Sequence, residues 1–213
     1  ELGEAFVERL VGAFAVALWD AGAGRLILAR DRAGERPLFY HQVGESVRFA
    51  TEIAALAADT GLRLTPDRRA LAGYLQFGSF VAPETPFAEI RKVGPAETVV
   101  FERGGMRRRR YWRWEIATAP KARPSVERLD ELFRSAVRRQ GDVEVDCGLF
   151  LSGGVDSSLV AAVARDVFPA RRYRAYTLRF SEASYDEGAF AEDVARGLGI
   201  DSVPAWIKPE DFP

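Results

Sequence analysis

The stretch Ser152-Gly153-Gly154-Val155-Asp156-Ser157 constrains the fold of this chain more than any other. The hydrophobic run of residues 145–151 enters it, and the helix-like residues 158–165 leave it. A strand, a glycine-rich turn and a helix opening make an anion cradle, because the amides of the turn and first helical turn lack intrahelical acceptors. Two glycines let the backbone approach a ligand closely. Ser152, Ser157 and Ser158 add hydroxyl donors. Asp156 puts a carboxylate where a bare phosphate site would not want one, which points to a bridging Mg²⁺.

The stretch lacks the Gly-Lys-Ser/Thr ending of the commoner nucleotide-binding loop, so it is a different motif. A βα turn that is glycine-rich for packing alone is the bland alternative, but few such turns add Ser, Asp and Ser in this order. The loop resembles the Ser-Gly-Gly-x-Asp-Ser loop of the ATP pyrophosphatase (PP-loop) enzymes. That resemblance implies ATP as ligand, an AMP-activated carbonyl and released pyrophosphate.

A length of 213 residues suggests one or two domains. Composition is globular, with 47% hydrophobic residues, 29% charged residues and a net charge of −1. That balance gives no general attraction to nucleic acid or to a membrane surface. A single cysteine leaves no internal disulfide framework, and the chain reads as cytoplasmic. No apolar run reaches the length of a membrane span. The first ten residues are acidic and amphipathic, unlike a signal or transit peptide. There is no initiator Met, so the expectation is a chain that begins partway through a larger protein.

The first half reads as antiparallel β. Residues 13–19 predict a buried strand, 20–24 a hairpin turn and 25–30 the return strand. Residues 37–42 and 46–50 form another candidate pair. Thr51 is the expected cap of a short helix over 52–58, and a second helix is expected over 67–76. A last hairpin spans 97–112 around Gly104-Gly105. The second half alternates β and α. Ser125 is a candidate cap for a helix to about residue 140. Residues 173–180 predict a second strand after the loop, and Tyr185-Asp186-Glu187 is expected to open a helix ending near Gly197 and Gly199. Residues 202–207 are a third strand candidate, which Pro204 pushes towards an edge or a short strand. Strands separated by helices imply right-handed βαβ units in a parallel sheet, with ligands at the carboxyl ends of the strands. The Ala- and Pro-rich residues 117–124 read as a linker between domains at 1–116 and 125–213.

Several segments together resemble the glutamine-hydrolysing asparagine synthase family. Residues 12–20, 28–40 and 49–53 are similar to the later part of its glutaminase domain. Residues 80–83, 87–93 and Arg110-Tyr111-Trp112 are similar to its inter-domain stretch, and the loop with Ser184-Tyr185-Asp186-Glu187 to the start of its synthetase domain. The fold this implies is an incomplete α+β part with antiparallel sheets, Ntn-hydrolase-like, at 1–116. An incomplete α/β parallel-sheet PP-loop part, similar to the adenine nucleotide alpha hydrolases, follows at 125–213. The implied activity is ATP-dependent adenylation of a carboxylate, commonly that of aspartate, with amide formation from glutamine-derived ammonia. Ser152, Gly153, Gly154, Asp156, Ser157 and Ser158 would hold the pyrophosphate-forming end of ATP, and Asp156 would serve the Mg²⁺. Phe150 and Leu178 would flank the adenine. The expected partners are small molecules, without nucleic acid or membrane, and a homodimer is left open.

The chain also departs from the family pattern. The family's glutaminase begins with a cysteine, and its glutamine-holding Arg, Asn and Asp follow early; none of these is matched, so no catalytic residue is assigned. Cys147 lies in the expected strand before the loop, where a buried, inert thiol is the expectation. A later Ser-Gly-rich motif and lysine of the synthetase domain are unmatched. Arg179 stands where the family usually has glycine. The expectation is part of a longer enzyme, or a decayed copy, that is not catalytic alone. Related enzymes that close β-lactam rings or lasso-peptide isopeptide rings remain an alternative, as does a non-catalytic nucleotide-binding fragment.

The basic and aromatic run of residues 107–114 reads as a strand with one solvated face rather than an RNA contact. His41, without nearby cysteine or clustered carboxylates, reads as neither ligand nor base. Arg30-Asp31-Arg32 could form a surface ion-pair cluster, but the resemblance implies a place near the domain interface, so it reads as structural. Asp186 and Glu187 read as first-turn acids favoured by the helix dipole.

Overall fold

The computed structural model describes residues 3–58, 61–116 and 125–211. The chain divides into two compact units, Glu1–Ala117 and Thr118–Pro213. The predicted linker at 117–124 lies outside the described residues.

The N-terminal unit opens with a 3-10 helix, Gly3–Arg9, anchored by the fully buried Val7. It then runs β1 (Ala15–Asp20), β2 (Arg25–Arg30), β3 (Phe39–Val43), β4 (Ser46–Ala50), α1 (Ile53–Ala57) and α2 (Arg68–Phe77). It closes with β5 (Arg91–Lys92), β6 (Glu97–Glu102) and β7 (Gly105–Arg110). Strands β1-β2-β6-β7 make one antiparallel sheet, and β4-β3-β5 another. Leu28, Leu38, Tyr40, Val93, Val99 and Phe101 form the core shared by the two sheets.

Two expectations for this unit are corrected. The run at 13–19 is not a buried strand, since β1 is the edge strand, Trp19 is 63% exposed, and burial passes to β2 and β6. Thr51 does not cap α1; Glu52 occupies that position in extended backbone and makes no side-chain cap bond. Arg30 and Asp31, read as structural, are both buried. The Asp31 carboxylate accepts the backbone amides of Phe14, Glu35 and Arg36. Arg30 donates to the carbonyls of Arg36, Gly34 and Val93. The conformation of residues 30–36 thus gives both buried charged side chains backbone hydrogen-bond partners.

Three of the four arginines of β7, an exposed strand, pair with acids. Arg107 and Arg109 reach Glu4 and Glu8 of the 3-10 helix, and Arg108 reaches Glu97. His41 is buried, with Nδ1 donating to the Glu89 carbonyl at 2.7 Å.

The C-terminal unit runs α3 (Val126–Gly141), β8 (Gly148–Phe150), α4 (Val155–Val167), β9 (Arg174–Phe180), α5 (Gly188–Leu198) and β10 (Asp201–Ile207). Its strands are parallel in the order β10-β9-β8, joined by helical crossovers. Ser125 caps α3 by accepting the Arg128 amide at 3.1 Å, and Gly199 ends α5 in the left-handed conformation. The core is built from Leu151, Ala161, Ala164, Tyr173, Ala175, Ala191, Ala195 and Ile200. So many alanines let α4 and α5 approach the sheet closely. Pro204 sits in β10, an edge strand of seven residues, so the edge reading stands and the short-strand reading does not.

Two more corrections follow. The strand expected over 145–151 contracts to the three residues of β8, leaving Cys147 before it, half-buried and 3.5 Å from the Arg171 guanidinium. Asp186 and Glu187 precede α5 rather than forming its first turn. Asp186 is instead engaged by Arg179. Among the described residues no helix is long and apolar enough to cross a membrane.

Candidate functional site

The chain leaves β8 under tight control. The Leu151 amide donates to the Tyr176 carbonyl at 3.0 Å, and the buried Thr177 hydroxyl donates to the Leu151 carbonyl at 2.8 Å. Leu151 is itself only 2% exposed. The loop therefore starts from a fixed point at the carboxyl end of the parallel sheet.

Gly153 then turns the backbone with φ +82°, in the left-handed region. A Cβ at this position would lie 2.6 Å from both the Ala191 amide nitrogen and the Phe190 Cβ. The loop is thus seated directly on the first turn of α5. Gly154 follows with φ −69° and ψ 161° as the N-cap of α4. The helix starts at Val155, three residues earlier than expected, so the amides of Val155, Asp156 and Ser157 belong to its first turn.

Two hydroxyls brace the turn. Ser152 Oγ and Ser157 Oγ are 3.0 Å apart. Ser157 Oγ accepts the Ser152 amide at 3.2 Å and donates to the Gly154 carbonyl at 3.2 Å. Ser152 Oγ accepts the Gly154 amide at 3.3 Å. Ser158 differs from its neighbours. Its Oγ is enclosed and has no hydrogen-bond partner, because one further residue turns it about 100° around the helix, away from the loop. Asp156 projects from the first turn of α4 and is exposed.

Phe150 and Leu178 share a sheet face. Phe150 pairs with Tyr176, two residues before Leu178, and Leu178 pairs with Ala205 of β10. Phe150 is 87% exposed and Leu178 is 53% exposed, so they offer an apolar surface beside the loop. The structure therefore brings Ser152, Gly153, Gly154, Asp156 and Ser157 into one turn, with Phe150 and Leu178 on the adjoining face.

Sequence reasoning missed Thr177 and the seat at Phe190 and Ala191. The period-two alternation of residues 174–180 does put Thr177 on the same face as the buried Ala175. No sequence signal marks the contact between Gly153 and α5.

A glutamine amidotransferase domain family matches residues 1–112, and an asparagine synthase family matches residues 128–213. The chain belongs to the glutamine-hydrolysing asparagine synthase family. Three family relatives are similar over most of the chain. Asparagine synthetase [glutamine-hydrolyzing] 3 of Bacillus subtilis is 36% identical over 79% of this chain and 28% of its own length. Asparagine synthetase [glutamine-hydrolyzing] 1 of the same organism is 28% identical over 98% of this chain and 33% of its own length. The putative asparagine synthetase [glutamine-hydrolyzing] 2 of Methanocaldococcus jannaschii is 25% identical over the whole chain and 42% of its own length. The chain thus spans about a third of the length of the family members it matches.

Proposed function

We propose that this chain is part of an ATP-dependent ligase that adenylates a carboxylate, that of aspartate first among them, and forms an amide with ammonia released from glutamine. In this reading residues 1–116 are the later part of a glutaminase domain of the Ntn type. Residues 125–213 are the first part of a PP-loop synthetase domain. The setting is cytoplasmic, and glutamine, ATP and the acceptor carboxylate are the partners.

The observation that carries the reading is the turn at Ser152–Ser157. It points helix-opening amides and a left-handed glycine at the carboxyl end of a parallel sheet. The donor set suits the anionic end of a nucleotide, and Phe150 and Leu178 suit the flat faces of a base. Substrate carboxylate oxygen attacks the α-phosphorus of ATP, and the bond to pyrophosphate breaks. Ammonia then attacks the acyl carbon, and AMP departs. The loop amides stabilise the negative charge that gathers on the leaving pyrophosphate.

The same turn fits Mg²⁺ in a limited sense. Among the described residues no cluster of three or more His, Cys, Asp or Glu could hold a metal ion by itself. Asp156 is a lone carboxylate at the mouth of the cradle, which suits an ion held mainly by substrate phosphates. When bound, the ion would neutralise charge on the pyrophosphate. The Ser158 hydroxyl, enclosed as it stands, has no part in this reading.

The test is calorimetric titration of the chain with MgATP, beside Asp156→Asn. The wild-type chain is expected to bind. Asp156→Asn should melt like wild type and lose at least the roughly tenfold in affinity that follows loss of a metal's supporting partner. A wild-type chain that gives no heat with MgATP, or an Asp156→Asn chain that binds as well, overturns the reading.

A further inference from the structure

Among the described residues of the C-terminal unit, Arg179 holds two carboxylates and a ring, and nothing in the adenylation chemistry uses it. It lies near the end of β9, one residue beyond Leu178, on the face that carries α5. Its Nε is 2.8 and 3.1 Å from the two Asp186 carboxylate oxygens, and its Nη2 is 2.8 Å from Oδ2. Its Nη1 is 2.5 Å from Glu192 Oε1, on the second turn of α5. The guanidinium also lies 5.0 Å from the ring centre of Trp206 on β10. Asp186 in turn accepts the Gly188 amide at 3.3 Å, at the start of α5.

The stem of Arg179 fills the space beside Gly188. A Cβ there would lie within 2.3 Å of Arg179 Cδ, Nε and Cζ. One side chain therefore binds the segment before α5, the second turn of α5, and the ring on β10. The first turn of α5, held between those contacts, is the seat on which Gly153 rests, at a distance that leaves no room for a methyl group. The path from Arg179 to the turn is continuous: guanidinium, Asp186 and Glu192, then Phe190 and Ala191, then Gly153.

We propose that Arg179 is a positioning residue for the Ser152–Ser157 loop, acting through the first turn of α5. The proposal rests on the reading of that loop as the ATP site. Arg179 touches neither nucleotide nor acceptor. It sets where Gly153 and the amides after it stand. A fork of donors is needed for this, because two carboxylates on different elements must be held at once, which a lysine ammonium cannot do in the same plane.

The experiment compares the wild-type chain with Arg179→Met, Arg179→Lys and Glu192→Gln, using amide hydrogen exchange and MgATP calorimetry. In Arg179→Met, peptides covering residues 148–158 and 186–192 should exchange faster, while α3 exchanges as in wild type. MgATP affinity should fall about tenfold, the scale of couplings carried by side chains outside a site. Arg179→Lys should recover only part of that loss, and Glu192→Gln should fall between wild type and Arg179→Met. Wild-type loop exchange and wild-type affinity in Arg179→Met overturn the proposal. If Arg179→Met does not fold, unchanged loop exchange in Glu192→Gln overturns it instead. A wild-type chain that binds no MgATP, with a loop that still loosens in Arg179→Met, removes the ATP reading and supports the coupling on exchange rates alone.

Discussion

Gly153 and Gly154 are adjacent glycines with opposite reasons to be glycine, and substituting each by alanine separates fold from ligand. At Gly153 the backbone is left-handed, which costs a non-glycine residue about 1–2 kcal/mol. The added methyl would also lie 2.6 Å from the amide nitrogen of the fully buried Ala191, a backbone atom that cannot swing aside. Overpacking of that kind costs about 1–3 kcal/mol. Gly153→Ala should therefore lose about 3 kcal/mol, a large share of the stability of a unit this size. Its melting transition should fall by more than about 10 °C. At Gly154 the backbone is ordinary, with φ −69°, and a Cβ would meet only the Ser152 hydroxyl at 3.3 Å. Gly154→Ala should stay within about 0.5 kcal/mol of wild type. It should still weaken MgATP, because its methyl stands where the phosphates would approach the helix opening. Urea denaturation of both variants, followed by calorimetry on Gly154→Ala, is the assay. Equal stability of the two variants would refute the packing argument, and a Gly153→Ala chain melting within about 2 °C of wild type would do so most directly.

Two further predictions concern the N-terminal unit. Burial opposes the charge of Asp31, but the amides of Arg36, Glu35, Phe14 and Gly34 outweigh it and hold the carboxyl below its usual value. The stability this contributes is present above the usual carboxylate range and is lost as pH falls through the lowered folded value. Urea midpoints should therefore drop below about pH 4. Asp31→Asn should cost about 1–3 kcal/mol at neutral pH, by leaving amides without an acceptor, and should flatten that acid limb; an unchanged limb would contradict the assignment. Glu4 joins the 3-10 helix to two strands through Arg25 and Arg107. Because Arg107 is about half-exposed, Glu4→Gln should cost no more than about 1 kcal/mol. That difference should shrink as salt rises from about 0.05 to 0.5 M; a salt-independent difference would point to packing instead.

Much of the candidate site is legible in the sequence. The Ser-Gly-Gly-x-Asp-Ser order, entered by an apolar run and followed by a helical one, located the turn. The Ser125 cap and the Gly199 terminus were also readable, because capping is a local property of one or two residues. Pro204 pointed β10 towards an edge or a short strand, since proline cannot donate to a ladder, and it is an edge strand of seven residues. Readings that needed a partner far along the chain fared differently. Residues 13–19 looked buried because they are apolar, yet an apolar strand at a sheet edge can stay exposed. Asp186 and Glu187 looked like the acids of a first helical turn, but Asp186 answers to Arg179, seven residues away on another element. Arg30 and Asp31 read as structural, but a sequence does not show that residues 34–36 fold back over them with free amides and carbonyls.

The sequence by itself determined which residues could form an anion cradle, where the chain changes from antiparallel to alternating β and α, and to which family it is similar. These depend on residue types at short spacing, where backbone geometry is set locally. Only the tertiary structure decided why Gly153 must be glycine, which hydroxyls face the turn, and that α5 forms the seat of the loop. The first and last are contacts between segments 30 or more residues apart, such as Gly153 with Ala191, and the hydroxyl pattern follows from where the turn hands over to α4. The contacts arise because an alanine-rich core lets the helices come close enough for one missing Cβ to matter.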